Sequence, residues 1–93
     1  MSDEKDTRTY DAAYAYVKRS KNREKIINIL ATSRKTPSEI VEIMDARFSL
    51  VSALLTDLKK HKIISCINEE DKTGRLYNLT DLGKQIFEEL NQE

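Results

Sequence analysis

The stretch from Thr36 to Thr80 constrains this chain more than any other feature. Thr36-Pro37-Ser38-Glu39 has the residues of a capping box. The threonine can cap a helix N-terminus, the proline already has a helical φ at the first position, and the glutamate can reach back to the cap's own N–H. Ile40, Val41 and Met44 then share one face of a helix from Pro37 to about Asp45. Asp45-Ala46-Arg47-Phe48 follows as a turn, with Phe48 expected to pack beneath it. Ser49-Leu50-Val51-Ser52 opens a second helix over about residues 49–61, in which Val51, Leu55 and Leu58 fall three and four apart. Ile63 to Ile67 and Leu76 to Leu79 alternate or run apolar like strands, with Lys72-Thr73-Gly74-Arg75 between them. Thr80 can cap one more helix, striped by Leu82, Ile86 and Leu90.

Before this run, residues 1–10 are polar, charged and aperiodic, and read as a flexible N-terminal arm. Asp11 to Val17 admits two readings. Tyr14 and Tyr16 alternate as in a strand, while the alanines favour a helix leading into the core, and the helix is the preferred expectation. Ser20 or Asn22 can cap a helix whose core stripe is Ile26, Ile27, Leu30 and Ala31, and Ser33-Arg34-Lys35 connects it onward. Two glycines and one proline leave no room for an interdomain linker, so residues 11–93 are expected to form one domain.

Helix, turn, helix and β-hairpin, in that order, define a mainly α fold with a small β-hairpin wing: a winged helix-turn-helix. Such a fold usually lays its second helix in a DNA groove. Tyr16-Val17, Arg23-Glu24-Lys25, Thr36-Pro37-Ser38-Glu39-Ile40, Val51-Ser52, Leu55, Leu58 and the block GRLYNLTDLG-Lys84 resemble a set of small prokaryotic, mainly archaeal, winged-helix regulators near the ArsR and MarR groups. The resemblance covers roughly residues 14–90. It implies a sequence-specific DNA-binding homodimer, with the helix of about 49–61 in the major groove and a wing of about 68–75 on the adjacent groove or backbone. Regulators of this kind often carry a polar or basic residue in place of Leu50, an arginine in place of Ala53 and a helix-ending glycine in place of Lys62. This chain departs from the pattern at all three.

Charge bears directly on that implication. Sixteen basic and sixteen acidic residues cancel, whereas a dedicated DNA binder is usually basic. The distribution is uneven: residues 18–35 carry a net +6 and residues 59–66 a net +3, while 36–58 carry −3. A basic face is compatible with this pattern without being required by it. No apolar run reaches the length of a membrane span and the N-terminus is acidic, so a cytoplasmic protein is expected. One cysteine, Cys66, allows no internal disulfide and gives no metal-ligand spacing; it reads as a small buried hydrophobe. No Gly-rich phosphate loop or nucleophile–base pair is visible. An enzyme is not expected, nor a cofactor, a small-molecule ligand or a membrane partner.

The candidate DNA-binding residues are Arg34, Lys35, Arg47, Ser49, Ser52, Ala53, Thr56, Lys59, Lys60, Lys72 and Arg75. Ser49, Ser52 and Thr56 can bond base edges or phosphates, with Ala53 facing the bases between them. Arg34, Lys35, Arg47, Lys59 and Lys60 can hold phosphates, and Lys72 and Arg75 flank Thr73-Gly74 at the wing tip. Structural readings stand beside these. Ser49 can be a helix cap, and Arg75 can pair with Glu69, Glu70 or Asp71 across the hairpin. Leu50 and Leu54 can pack against the wing or first helix, or form a protein-contact patch. Arg23 could meet a phosphate at the start of its helix, while His61 reads as structural. The dimer surfaces are expected on Tyr10, Tyr14 and Tyr16, and on Ile86, Phe87 and Leu90. The alternative function is a winged-helix protein–protein interaction module without direct DNA binding.

Overall fold

The computed structural model describes the backbone of residues 2–71 and 73–92, with side chains from Tyr10 onward. Three hydroxyl caps start its helices. Ser20 opens α2 (Lys21–Thr32) by accepting from the Arg23 N–H at 3.3 Å. Thr36 opens α3 (Pro37–Met44) as a complete capping box: its hydroxyl accepts from Glu39 N–H at 3.2 Å, and the Glu39 carboxylate accepts from Thr36 N–H at 2.8 Å. Thr80 opens α5 (Asp81–Leu90), accepting from Gly83 N–H at 3.1 Å. Caps of this kind contribute about 1 kcal/mol each. The bonds Glu39 makes to Thr36 hold its carboxyl below the usual carboxylate range.

Preceding these is α1 (Ser2–Lys18). The helical option for Asp11 to Val17 is the observed one, and the same helix includes the stretch expected to be an arm. Ala13 and Val17 are buried, one turn apart, and bring α1 against the core.

The helix α4 (Phe48–Lys60) begins earlier than expected. Its N-cap is Arg47, which supplies no side-chain cap, and Ser49 lies inside the first turn instead of capping it. Val51, Leu55 and Leu58 are buried as their spacing predicts. Phe48 is not: it is 57% exposed rather than packed under the turn. It falls on nearly the same helical azimuth as Leu55, seven residues on. At its level, however, a cleft opens between α3 and the wing, and no core element covers it.

Both α3 and α4 end through a residue in the left-handed conformation, and neither residue is glycine. After α3 it is Asp45 (φ 52°), with Asp45 N–H bonding Glu42 C=O and Ala46 N–H bonding Val41 C=O. After α4 it is Lys62 (φ 64°), with Lys62 N–H bonding Lys59 C=O and Ile63 N–H bonding Leu58 C=O, both at 3.0 Å. These paired bonds are the Schellman arrangement, completed at α4 by the fully buried Leu58 and Ile63. At Lys62, where the resemblance implies a glycine, the helix end keeps its shape, and lysine occupies the left-handed backbone that glycine favours.

β1 (Ile64–Cys66) and β2 (Tyr77–Leu79) pair antiparallel, Ile64 with Leu79 and Cys66 with Tyr77. Both are shorter than their apolar runs. Ile67 and Leu76 lie outside the strands, although Ile67 N–H still bonds Leu76 C=O at 2.8 Å. On the other edge of β2, Lys35 exchanges two backbone bonds with Tyr77, at 3.1 and 2.9 Å. The connection after α2 thus serves as a one-residue third strand and fixes where α3 starts. The shared core lies between the helices and this small sheet, with Ile26, Ile27, Ile40, Ile63, Ile64 and Ile86 fully buried. Ile86, expected on a dimer surface, is consumed by the protomer's own core. Cys66 is half-buried.

Candidate nucleic-acid interface

Four pieces of chain bound a cleft of about 410 Å³: Thr36, Pro37 and Ser38 at the start of α3, Phe48 and Ser52 on α4, Thr73, Gly74 and Arg75 at the wing tip, and Tyr77 beneath. The position of each follows from local chemistry. The capping box and the Lys35–Tyr77 bridge set the start of α3 beside β2. The left-handed Asp45 turns the chain sharply so that only three residues separate the end of α3 from the start of α4.

The outer face of α4 is the one expected from the apolar stripe. Ser49, Leu50, Ser52, Ala53, Thr56, Lys59 and Lys60 are all exposed. At 100° per residue, Ser49, Ala53, Thr56 and Lys60 form the outermost stripe, opposite Val51, Leu55 and Leu58. Phe48, Ser52 and Lys59 form the flank toward the wing. Leu50, 40% exposed, and the half-buried Leu54 form the other flank. From Phe48 to Thr56 there is no Arg, Asn or Gln, the side chains that bond purine edges bidentately.

The wing is held by a side chain that the sequence pattern did not single out. Asn68 Oδ1 accepts from Leu76 N–H at 2.7 Å, while its amide donates to the Asp71 carboxylate at 3.0 Å and to Gly74 C=O at 3.2 Å. One asparagine thus ties both arms of the hairpin to its tip, where Gly74 has the positive φ (65°) that its position suggested. An Asn at the end of an apolar run, ahead of charged and Gly-containing residues, is the available sequence signal. Arg75 donates from Nε to the Asp71 backbone carbonyl at 2.7 Å. Among the described residues no carboxylate pairs with it, so its charge still faces the cleft. Lys72 lies outside the described residues.

The other candidate cations divide. Lys59 forms an ion pair with Glu69 that bridges α4 and the wing. Both side chains are well exposed, and such pairs contribute little to stability. Lys35 donates from Nζ to the Ser33 hydroxyl. Among the described residues nothing engages the side chains of Arg34, Arg47 and Lys60, and all three are exposed.

Arg23 and His61 find a different use. The Arg23 guanidinium lies 3.7 Å from the Tyr16 ring centroid, and its Nη1 donates to Tyr16 C=O at 2.7 Å. The His61 ring stacks on Tyr16 at 3.8 Å and 14°. Two groups that close cannot share one face of the ring, so Tyr16 is sandwiched. Burial raises the Tyr16 pKa against the opposing pull of Arg23. The sandwich locks α1, the start of α2 and the end of α4 together, taking Arg23 away from phosphate and Tyr16 away from a dimer surface. Residues 45 positions apart give no local signal of such a stack.

Tyr10 bonds the Glu89 carboxylate at 2.8 Å and stacks on Tyr14, joining α1 to α5. Burial and the Glu89 contact push its hydroxyl up to about 12. Among the described residues no group of His, Cys, Asp and Glu could hold a metal, and no helix is long and apolar enough to cross a membrane.

The architecture is that of a winged helix-turn-helix. The adhesin competence repressor AdcR of Streptococcus pyogenes superposes with a TM-score of 0.71 at 20% identity, over 78% of this chain and 55% of that one. The homodimeric winged helix-turn-helix DNA-binding domain Mb0332 of Mycobacterium bovis gives 0.74 at 18% identity, over 96% and 81%. The S. aureus MepR–DNA complex gives 0.72 at 18% identity, over 99% and 77%. The chain spans about half the length of AdcR and of the similar ZitR of Lactococcus lactis. These neighbours belong to the MarR/ArsR neighbourhood that the sequence resembles and are regulators, not enzymes. Their sources are bacteria, so the archaeal leaning of the resemblance has no support among them. No family model and no curated protein matches the sequence.

Proposed function

We propose that the chain is a cytoplasmic DNA-binding transcriptional regulator that acts as a homodimer, with α4 in the major groove and the wing on the adjacent groove or backbone. The observation that carries this reading is the meeting of the exposed first turns of α4, the start of α3 and Arg75 in one open cleft. In this mechanism Ser49, Ser52, Ala53 and Thr56 face base edges, while Arg34, Arg47 and Lys60 hold phosphates. Arg75 works from the wing, with Lys72 as a further phosphate contact from the same stretch of sequence. Lys35 and Lys59 can add to the phosphate contacts by exchanging Ser33 and Glu69 for DNA. A neutral chain gains from acting as a dimer, because two copies double the phosphate contacts on one site. With Ile86 and Tyr16 committed inside the protomer, Phe87 and Leu90 on α5 are the apolar material for a dimer surface.

The exposed Phe48 and Leu50 favour a second reading, in which the same face binds a protein. A pool of genomic DNA fragments passed over the folded protein, followed by a salt titration of what is retained, separates the two. The DNA reading expects enriched fragments whose log affinity falls with log salt at about 0.9 per phosphate contact. Failure to retain any fragment at low salt rejects it and leaves the protein-binding alternative.

A further inference from the structure

The first two turns of α4 offer a groove almost nothing with which to bond a purine edge. Their exposed members are Phe48, Ser49, Leu50, Ser52, Ala53 and Thr56: three apolar side chains and three short hydroxyls. Phe48 stands at the N-terminal end of the helix, the end that contacts base edges in helix-turn-helix docking. It is 57% exposed, yet lies in a concave cleft rather than on a convex surface, with Ser52 one turn further along the same wall. Charge complementarity fits DNA as the occupant. Arg75 faces this cleft, and Arg47, the residue preceding Phe48, has no side-chain partner among the described residues.

Among base-pair edges in the major groove, thymine alone presents an apolar group, its 5-methyl, and phenylalanine and alanine are side chains able to contact it. We infer that this cleft selects DNA by the 5-methyl groups of thymine, with Phe48 as the contacting residue, so that the recognised sites are A·T-rich where the start of α4 enters the groove. The inference rests on the DNA-binding reading above and specifies what that interface prefers. Ser52 and Thr56 supply hydroxyl contacts that tolerate several bases, leaving discrimination to the apolar contact.

Deoxyuridine tests it directly, because it removes the methyl and leaves the hydrogen-bonding edge of the pair intact. A fragment retained from the genomic pool is compared with duplexes carrying deoxyuridine at each thymine in turn. The expected result is a loss of about fourfold in affinity at one or two positions per half-site, the worth of one buried methyl-sized group. Phe48→Ala should bind the thymine and deoxyuridine duplexes equally while keeping the parent salt slope, and Phe48→Leu should restore part of the difference. Unfolding curves of both variants should match the parent, since the ring is largely exposed. Equal affinity of the parent protein for both duplexes overturns the inference while leaving DNA binding intact. So does a Phe48→Ala variant that still discriminates. Retention of no DNA at all overturns both readings together.

Discussion

The two ends of α4 are built in opposite ways. At its C-terminal end the Asp57, Leu58 and Lys59 carbonyls all have partners beyond the helix, in His61, Ile63 and Lys62 N–H. The Schellman bonds close the helix, and the Thr80 hydroxyl donates to the Lys62 and Ile63 carbonyls at 2.8 and 2.9 Å. His61 stacks on Tyr16, and α5 approaches so closely that a Cβ on Gly83 would stand 2.3 Å from the Ile63 carbonyl oxygen. At its N-terminal end no side chain caps the helix, an aromatic ring is exposed, and Arg47 has no side-chain partner among the described residues. The fold fixes one end of the helix firmly and leaves the other with its binding groups unspent. Such a division suits an element that must be held rigidly while it presents side chains to a partner.

Substitutions at the fixed end should therefore act on stability, and the largest effect is expected at Gly83. Gly83→Ala drives a methyl into the Ile63 carbonyl and should cost about 2–3 kcal/mol by urea unfolding. An unchanged midpoint would mean that α5 is free to shift and that the end of α4 is not held as described. Thr80→Ala removes the cap of α5 and the donor shared by two carbonyls, and about 1–2 kcal/mol should be lost. Lys62→Gly works the other way. Relief of the left-handed lysine should raise stability by about 0.5–1 kcal/mol, read as a higher denaturant midpoint at unchanged slope. A loss instead would show that the lysine side chain contributes there.

The smallest effect lies in the pH dependence of α3. The Glu39 carboxyl titrates below its ordinary value because Thr36 stabilises the ionised form. A carboxylate depressed on folding contributes stability that is present above its unfolded pKa and disappears as pH falls through the folded one. Comparison of the parent with Glu39→Gln should show a small advantage for the parent at neutral pH that vanishes in the acid range below about pH 4. A difference that persisted at low pH would locate the benefit elsewhere than in the ionised capping box.

The contrast between the two ends also marks what the sequence discloses. Signals confined to neighbouring residues are legible: the Thr36 box, the Thr80 cap, the Val51–Leu55–Leu58 stripe and the positive φ of Gly74 all lie where their spacing puts them. Lys62 shows how far a local signal reaches, since its place just after a helix was evident but its left-handed backbone comes from buried partners on either side. Long-range contacts are not legible. Nothing near Tyr16 announces that Arg23 and His61 will enclose it, nor near Gly83 that α5 meets the Ile63 carbonyl there. Phe48 illustrates the same limit at the candidate site. Its apolar character and azimuth both argue for burial, and only the three-dimensional position of α3 and the wing leaves it uncovered.

The measurement that tests the division of α4 most directly is a titration of the isotopically labelled protein with a retained DNA duplex, following backbone amide resonances. Large shifts are expected over residues 47–56 and 73–75 and smaller ones at Lys59 and Lys60, where phosphate is held, with the amides of residues 61–63 and 81–86 nearly unmoved. Shifts concentrated on α1 and α5, or spread evenly over the whole of α4, would contradict that division.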